Sequence, residues 1–297
     1  MEYPSINILQ GLLYQLQNED GTPRFLYHYT KFENAIKILA SGQLFMRSLD
    51  KQNDPWEFYT REDTGVMGTG EPIEETYQNL IKHNQAIAER KNAVRLTSFS
   101  IDAKDKYSCR HGWNLFRMWA QYADNHAGIC LIFNYKQLCN DFNAAFADGT
   151  TLQIEHPIKY VNLSELDEIN EMFWKPIATV LDEGHIDHLF TKPADFEHEQ
   201  EYRFLIANKK LNNSNENLYI PIKNSICGII TGRKFGCDDD ANMKHLRMEY
   251  LRNAMDLCNK NMRLFNMLSY SFSEPLHDSV ASREWTKRVL GDDFDEH

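Results

Sequence analysis

Apolar and polar positions follow one another along the chain in short blocks that predict both strands and helices. Residues 24–29 are rich in aromatic side chains, as strands often are. Residues 30–33 fit a capping box, with Thr30 as the N-cap and Glu33 at the third helical position. Apolar residues follow at helical spacing, Gly42 offers a left-handed cap, and residues 44–46 return to a strand pattern. The pattern predicts a strand–helix–strand unit.

The rest of the chain continues this mixture without the regular rhythm of a doubly wound parallel sheet. Further strands are predicted at 94–100, 129–133, 201–206, 226–230 and 268–272. Helices are predicted at 72–92, 113–124, 135–146, 163–183 and 238–261, and 113–124 is apolar on nearly every side. No linker is visible. We therefore predict an α+β protein with a single domain over 1–297, a core at about 24–235 and a helical C-terminal extension at about 236–297.

The charge balance limits the kinds of partner. The 297 residues carry a formal net charge of −11, from 32 lysines and arginines against 43 aspartates and glutamates. This balance disfavours a protein that wraps nucleic acid or binds an anionic membrane, because it provides no global attraction to phosphate groups. A local basic pocket is still compatible with it.

Cysteine usage and the apolar runs indicate the compartment. The six cysteines form no Cys-x-x-Cys pair, and several lie in apolar runs, which is typical of buried free thiols in a reducing compartment. The first ten residues lack the basic start and apolar stretch of a signal peptide. No apolar run approaches the ~20 residues needed to span a bilayer. We therefore expect a cytoplasmic protein with no membrane partner.

The first candidate binding element is His28, which lies at the end of the aromatic strand and precedes Tyr29 and Thr30. A histidine in this place can present a ring nitrogen to a ligand hydroxyl, and the N-terminus of the next helix can accept negative charge. The competing interpretation is a core histidine that bonds its own backbone. The position alone leaves both interpretations open.

The second element is a pair of serines on one predicted strand. Ser98 and Ser100 share one face of that strand, whereas Phe99 points the opposite way. Two neighbouring hydroxyls can bracket a sugar or a carboxamide. Edge-strand hydroxyls that bond water are the alternative.

The third element is acidic. If residues 196–203 form a strand, Glu199, Glu201 and Arg203 lie on one face. Two carboxylates one pleat apart repel each other, so the pKa of one tends to rise, while Arg203 can hold the other ionised. Such a pair suits the binding of a ribose hydroxyl and the stabilisation of a developing oxocarbenium ion. The alternative is a solvated, salt-bridged strand face.

A further polar group lies at a predicted turn. Asn53 and Asp54 precede a proline, which favours a turn, and Glu57 follows shortly afterwards. These side chains either contact a ligand or cap a helix that begins at Pro55. Capping is the simpler interpretation.

Other catalytic motifs give no signal. His185 and His188 have a helical ligand spacing, but neither a His-Glu-x-x-His motif nor a cysteine pair accompanies them, so we predict no metal site. The chain contains no phosphate-binding glycine loop and no Gly-x-Ser-x-Gly motif.

Taken in order, these motifs resemble a bacterial family, the domain-of-unknown-function family 2971 (DUF2971). The resemblance spans about residues 25–235 and departs from the family pattern at Phe196, where a tryptophan is expected. The matching stretches are Tyr27–Thr30, Asn53–Glu57, Phe99–Ser100, Trp119–Gly128, Glu199–Arg203 and Ile226–Gly232.

That family is distantly similar to the ADP-ribosyltransferases, and this likeness implies a fold and a set of roles. The implied fold is a split, mixed or antiparallel β-sheet core with flanking helices. Glu201 would bind the nicotinamide ribose and stabilise the oxocarbenium ion, and Glu199 would orient an acceptor or act as a base. The implied NAD-binding residues are His28 for the adenosine ribose, Ser98 and Ser100 for the nicotinamide pocket, Trp119 or Tyr122 for stacking on nicotinamide, and the neighbouring Tyr29, Thr30 and Arg203.

The resemblance implies an enzyme that uses NAD as a co-substrate and transfers ADP-ribose to a protein or nucleic-acid acceptor, as a toxin or a phage-defence effector would. Fold-level analogy does not establish an activity, so two alternatives remain. One is a nucleotide-binding sensor that keeps the cleft without catalysis. The other resembles an RNA 2′-phosphotransferase, which requires arginines that face the cleft. Candidates for those are Arg95, Arg110, Arg117, Arg203 and Arg233.

Overall fold

The structure is a computed structural model. It describes residues 18–49, 92–104, 109–162, 187–211 and 217–266 except 19, 209 and 238, together with isolated positions between 77 and 89 and at 165. Asn53, Asp54, Glu57, His185 and the predicted strand 268–272 lie outside the described residues. In the predicted helix 72–92, the described positions 77, 78, 81, 82, 85, 89 and 92 are all helical. The predicted helix 163–183 lies outside the described residues except for position 165.

Four α-helices and two 3₁₀ segments have both of their ends among the described residues. The helices are α1 (Phe32–Ser41), α2 (Phe116–Gln121), α3 (Tyr135–Ala145) and α4 (Ala241–Cys258). The 3₁₀ segments are Asp187–Phe190 and Ala194–Glu199. No described helix is long and apolar enough to cross a bilayer.

Thirteen strands accompany the helices in the described part of the chain. They are β1 (Phe25–Thr30), β2 (Gln43–Ser48), β3 (Val94–Ser100), β4 (Ala103–Lys104), β5 (Cys109–Arg110), β6 (Ile129–Asn134), β7 (Leu152–Pro157), β8 (Lys159–Val161), β9 (Thr191–Pro193), β10 (Glu201–Ala207), β11 (Leu218–Pro221), β12 (Ile226–Thr231) and β13 (Arg263–Asn266). The sequence pattern had not predicted β4, β5, β7, β8, β9, β11 or β13.

Nine of these strands form one mixed, mostly antiparallel sheet. Its main path runs β11-β2-β3-β1-β6-β12-β13, and a branch adds β10 and then β7 beside β3. All pairs in this sheet are antiparallel except β12 with β13. The predicted α+β class is therefore confirmed.

The sheet branches at β3. One edge of β3 pairs with β10 along its whole length. The other edge is shared: β2 pairs with it at Arg95 and Leu96, and β1 pairs with it at Ser100. Ser98 lies between these two contacts, where β1 and β2 diverge and leave an opening in the sheet.

The two faces of the sheet carry different side chains because neighbours on a strand alternate. One face holds the largest apolar cluster, which includes Leu26, Phe99 and Phe204 and packs against α1, α3 and α4. On the other face, Tyr27, Tyr29 and Trp119 belong to a second cluster, and Leu96 and Leu205 belong to a third. Burial of these clusters stabilises the fold by roughly 25 cal/mol per Å² of apolar surface. The side chains that are not packed in the clusters are the ones left to face the opening.

Two local predictions about helices are wrong, one about a helix cap and one about helix length. Thr30 does not cap α1, because it continues β1 opposite Ile129; the N-cap is Lys31, which makes no side-chain cap bond. The predicted helix 113–124 shortens to α2, in which only Trp119 is buried. Gly42, by contrast, ends α1 in the left-handed conformation, with φ 66° and ψ 28°, as predicted.

Candidate functional site

A cavity of about 980 Å³ opens where the sheet branches. His28 lines it from the face of the sheet that carries the largest apolar cluster, and Glu201 lines it from the opposite face. Two residues 173 positions apart in the chain therefore meet in one cavity. The other predicted site residues in its lining are Tyr29, Thr30, Ser98, Ser100, Tyr122, Glu199 and Arg203.

His28 is held across the opening. Its Nδ1 lies 3.0 Å from the carbonyl oxygen of Ser98, and its ring packs edge-on against Phe99. Burial lowers the pKa of His28 below its usual value, and the positive charge of Arg47 lowers it further, although the bond to Ser98 acts in the opposite direction. A neutral ring that donates from Nδ1 to a carbonyl has Nε2 left as an acceptor, which suits a ligand hydroxyl.

Ser100 is fully buried, and its hydroxyl has no hydrogen-bond partner among the described residues. The neighbouring Ser98 is half-buried and provides the carbonyl that His28 contacts. A buried hydroxyl without a partner is rare in folded proteins and costs free energy. Ser100 belongs to the lining of the cavity, so this hydroxyl lies next to it.

Glu201 is 5% exposed and forms a charged pair with Arg203. The Nε of Arg203 lies 2.7 Å from Oε1 of Glu201, and Nη1 of Arg203 donates to the carbonyl of Leu189. Burial alone would raise the pKa of Glu201, but Arg203 and then Lys192 outweigh burial and hold that pKa well below its usual range. The carboxylate of Glu201 is therefore ionised at neutral pH.

Lys192 joins Glu201 to Glu199. Its Nζ lies 2.7 Å from Glu201 Oε2 and 3.0 Å from Glu199 Oε2, and the hydroxyl of Tyr122 donates to Glu199 Oε1 over 3.0 Å. Burial raises the pKa of Tyr122, and the charge of Glu199 raises it further, so the phenol is protonated. When Arg203 is included, the network contains two carboxylates and two cations, so its formal charges cancel.

Sequence reasoning missed Lys192. It lies on the three-residue strand β9, which pairs with β8 away from the main sheet, and no periodic pattern marks it. The only signal is compositional: a lysine that shortly precedes the acidic segment 195–201 is a candidate for an ion pair.

Three predicted site residues are placed differently from what the sequence pattern suggested. Glu199 does not share a strand face with Glu201, because it ends a 3₁₀ segment and Gln200 turns the chain in the left-handed conformation, with φ 47°. Trp119 is fully buried, donates to the carbonyl of Trp113 and is not part of the cavity lining, so it packs in the core. The hydroxyl of Tyr29 is already bonded to the carbonyl of Gly112.

The part of the chain that carries this ion-pair network matches a known family. Residues 118–204 match the family described as "Protein of unknown function (DUF2971)". The DUF2971 match runs from α2 into β10 and includes Tyr122, Lys192, Glu199, Glu201 and Arg203. The predicted resemblance to DUF2971 is supported for this stretch. No curated protein and no solved structure matches the chain.

We expect Ser100→Ala to leave the free energy of unfolding unchanged or to raise it by up to about 1 kcal/mol, because the variant removes a buried hydroxyl that has no partner. The matched control is Ser225→Ala. Ser225 is equally buried, but its hydroxyl donates to the carbonyl of Ile222, so its loss is expected to lower that free energy by about 1 kcal/mol. Chemical denaturation measures both. Equal destabilisation by the two variants would show that Ser100 has a partner in the free protein.

Proposed function

We propose that the chain is an NAD-dependent, ADP-ribosyltransferase-like enzyme that cleaves the nicotinamide–ribose bond and transfers ADP-ribose to a protein or nucleic-acid acceptor. The observation that carries the proposal is the placement of His28 and Glu201 on opposite sides of one cavity. A dinucleotide has two riboses, and two polar side chains that face each other across an opening in the sheet are suited to hold one each. The branching at β3 is compatible with the split sheet that such a fold requires.

In this proposal, Glu201 works as a fixed negative charge. When the C1′–N1 bond breaks, its electron pair leaves with nicotinamide, and the ribose becomes a positively charged oxocarbenium ion. An ionised carboxylate nearby stabilises that charge without having to reorganise. The lowered pKa of Glu201 suits this role better than the role of a base, because the group is a poor proton acceptor at neutral pH.

The remaining polar groups have roles in binding and in proton transfer. Ser100 and Tyr122 belong to the lining of the same cavity, and the hydroxyl of Tyr122 can contact the carboxamide or the ribose. An acceptor nucleophile forms the new bond to C1′ and loses a proton. Glu199 is the carboxylate proposed to accept that proton, because it lines the cavity beside Glu201, to which Lys192 joins it.

A specific observation favours a second function, that of a nucleotide-binding module without catalysis. Both oxygens of Glu201 are already bonded to cations, Oε1 to Arg203 and Oε2 to Lys192. Their positive charges oppose the field that would stabilise an oxocarbenium ion. Such a module would bind NAD or a related nucleotide and release no nicotinamide.

The phosphotransferase-like alternative has less support. Of the arginines predicted for such a site whose side chains are described, Arg203 lines the cavity, but it is engaged with Glu201. Arg95 donates to the carbonyls of Asn92 and Val94, and Arg117 contacts His198.

Release of nicotinamide from labelled NAD tests the proposed function. We expect purified wild-type protein to release nicotinamide and, with cell lysate present, to leave label on a macromolecule. Binding of NAD by calorimetry with no release would favour the binding module. If the protein neither binds NAD nor releases nicotinamide, both functions are refuted.

A further inference from the structure

The charges in the cavity lining are unevenly distributed. The protein as a whole carries −11, yet the lining among the described residues has five lysine or arginine side chains and only two carboxylates. Glu199, Glu201, Lys192 and Arg203 lie together at the buried end and balance each other. The excess of positive charge therefore comes from the exposed end, where no carboxylate of the described residues lines the cavity. An anionic ligand group is favoured there.

Two elements build this exposed end, which we call the outer end. Asn34 and Lys37 on α1 lie three positions apart on one helix face, and Lys31, the N-cap of α1, lines the cavity at the start of the helix. Strand β2 contributes Phe45 and Arg47, which point the same way one pleat apart, roughly 7 Å along the strand. Arg47 is close enough to His28 for its charge to affect the pKa of that histidine. The positively charged side chains of the outer end therefore begin with Arg47, close to His28.

An aromatic pair completes the outer end. Tyr219 on β11 lies directly opposite Phe45 in the strand register, and their ring centroids are 5.4 Å apart. Phe45 is 36% exposed and Tyr219 is 40% exposed, although both are large hydrophobic residues, and both line the cavity. A cross-strand aromatic pair also stabilises a sheet edge. Here, however, the rings are half open to the cavity and lie beside cations, which is the combination that binds a stacked base and its phosphate.

We propose that the outer end binds the base and phosphate groups of a nucleoside diphosphate, with the base stacked on Phe45 and Tyr219 and the phosphates facing Lys31, Lys37 and Arg47. This inference deepens the proposed function, because it assigns the phosphorylated half of a dinucleotide to named residues. It nevertheless concerns binding alone and does not depend on Glu201. The buried end of the cavity would then receive the second sugar.

Binding of ADP to the full chain, measured by calorimetry at two salt concentrations, tests the inference. We expect ADP to bind wild-type protein and adenosine to bind much more weakly, because adenosine lacks the phosphates. Phe45→Leu with Tyr219→Leu is expected to weaken ADP binding by about tenfold or more, since stacking contributes strongly to base binding. Inorganic pyrophosphate should bind that variant as it binds wild type.

Charge variants test the other half of the inference. Lys31→Gln with Lys37→Gln is expected to weaken both ADP and pyrophosphate and to make ADP binding less sensitive to salt. Matched controls are Lys136→Gln and Tyr250→Leu. Lys136 and Tyr250 are exposed on α3 and α4, away from the cavity lining, so ADP should bind these variants as it binds wild type.

The outcomes separate this inference from the proposed enzymatic function. If wild type does not bind ADP, or if both double variants bind it as wild type does, the inference is overturned even where nicotinamide release is observed. If ADP binding depends on these residues and no nicotinamide is released, the outer end is supported and the transferase function fails. Equal loss in the control variants would also overturn the assignment, because it would show that binding does not depend on this surface.

Discussion

Replacing Glu201 with glutamine is expected to abolish nicotinamide release while the protein still folds. The variant keeps the shape of the side chain and removes the negative charge that the proposed mechanism needs at C1′. Loss of one group that stabilises charge in a transition state reduces kcat by about 10²–10³. The measurement is release of labelled nicotinamide under saturating NAD, together with NAD binding by calorimetry, which we expect to fall much less.

The controls for this experiment are chosen from the same segment. Glu197→Gln removes an exposed carboxylate from the 3₁₀ segment that ends at Glu199, outside the cavity lining, so turnover should not change. Glu201→Gln leaves Lys192 and Arg203 with one fewer negative partner, so its thermal unfolding is measured beside wild type. Adding Lys192→Met restores the local charge balance if the single variant is unstable. Undiminished turnover in a folded Glu201 variant would rule out the proposed catalytic role.

Replacing Arg203 with methionine is expected to cost about 3 kcal/mol or more of folding free energy, because it leaves Glu201 buried with one cation fewer. Arg203 is 2% exposed, and its loss also leaves the carbonyl of Leu189 without that donor. Chemical denaturation measures the effect. The control is Lys136→Met, which breaks an exposed pair with Asp20 and should cause no measurable change. Similar results for the two variants would show that the buried network contributes little to stability.

The same variant has a predicted dependence on pH. In wild type the pKa of Glu201 is lowered from an ordinary value of 4.5, so its contribution to stability is complete above about that pH and is lost as the pH falls through the lowered value. Arg203→Met removes the largest favourable charge, which raises the pKa of Glu201. We therefore expect the acid-induced loss of stability that belongs to Glu201 to be smaller in the variant and to be complete at a higher pH than in wild type, as chemical denaturation at a series of pH values will measure.

The sequence predicts the local units of this fold well where one physical effect dominates. The β1–α1–β2 unit follows from apolar residues at helical spacing and from Gly42, which can take the left-handed conformation without strain. Thr30 shows the limit of such reasoning. Its side chain and the following glutamate fit a capping box, but pairing with β6 and burial keep Thr30 in the strand.

The candidate site is only partly predictable from the sequence. Alternation placed Glu201 and Arg203 together because they are two positions apart on one strand. Glu199 reaches the same network by a different route, through the left-handed Gln200 and the bridging Lys192. Nothing in the strand pattern encodes that route, because it depends on a separate short sheet.

The motif at 119–128 gives a contrasting case. It contributed to the family resemblance and suggested stacking residues, yet most of it is structural. Asp124, Asn125 and His126 all have positive φ, and the turn closes with a bond from the Gly128 amide to the carbonyl of Ala123. A side chain at Gly128 would meet the carbonyl oxygen of Thr30 at 2.5 Å. The glycine is therefore explained by close approach of the backbone to β1.

A single helix connects the two strands that border the opening in the sheet. Strands β1 and β2 lie on the same edge of β3, and α1, with ten residues and about 15 Å in length, joins them. Side chains of α1 line the outer end of the cavity, whereas the ion-pair network at the buried end comes from β9, β10 and the 3₁₀ segment before β10. Substitutions in α1 can therefore change what the outer end binds without replacing any member of the ion-pair network.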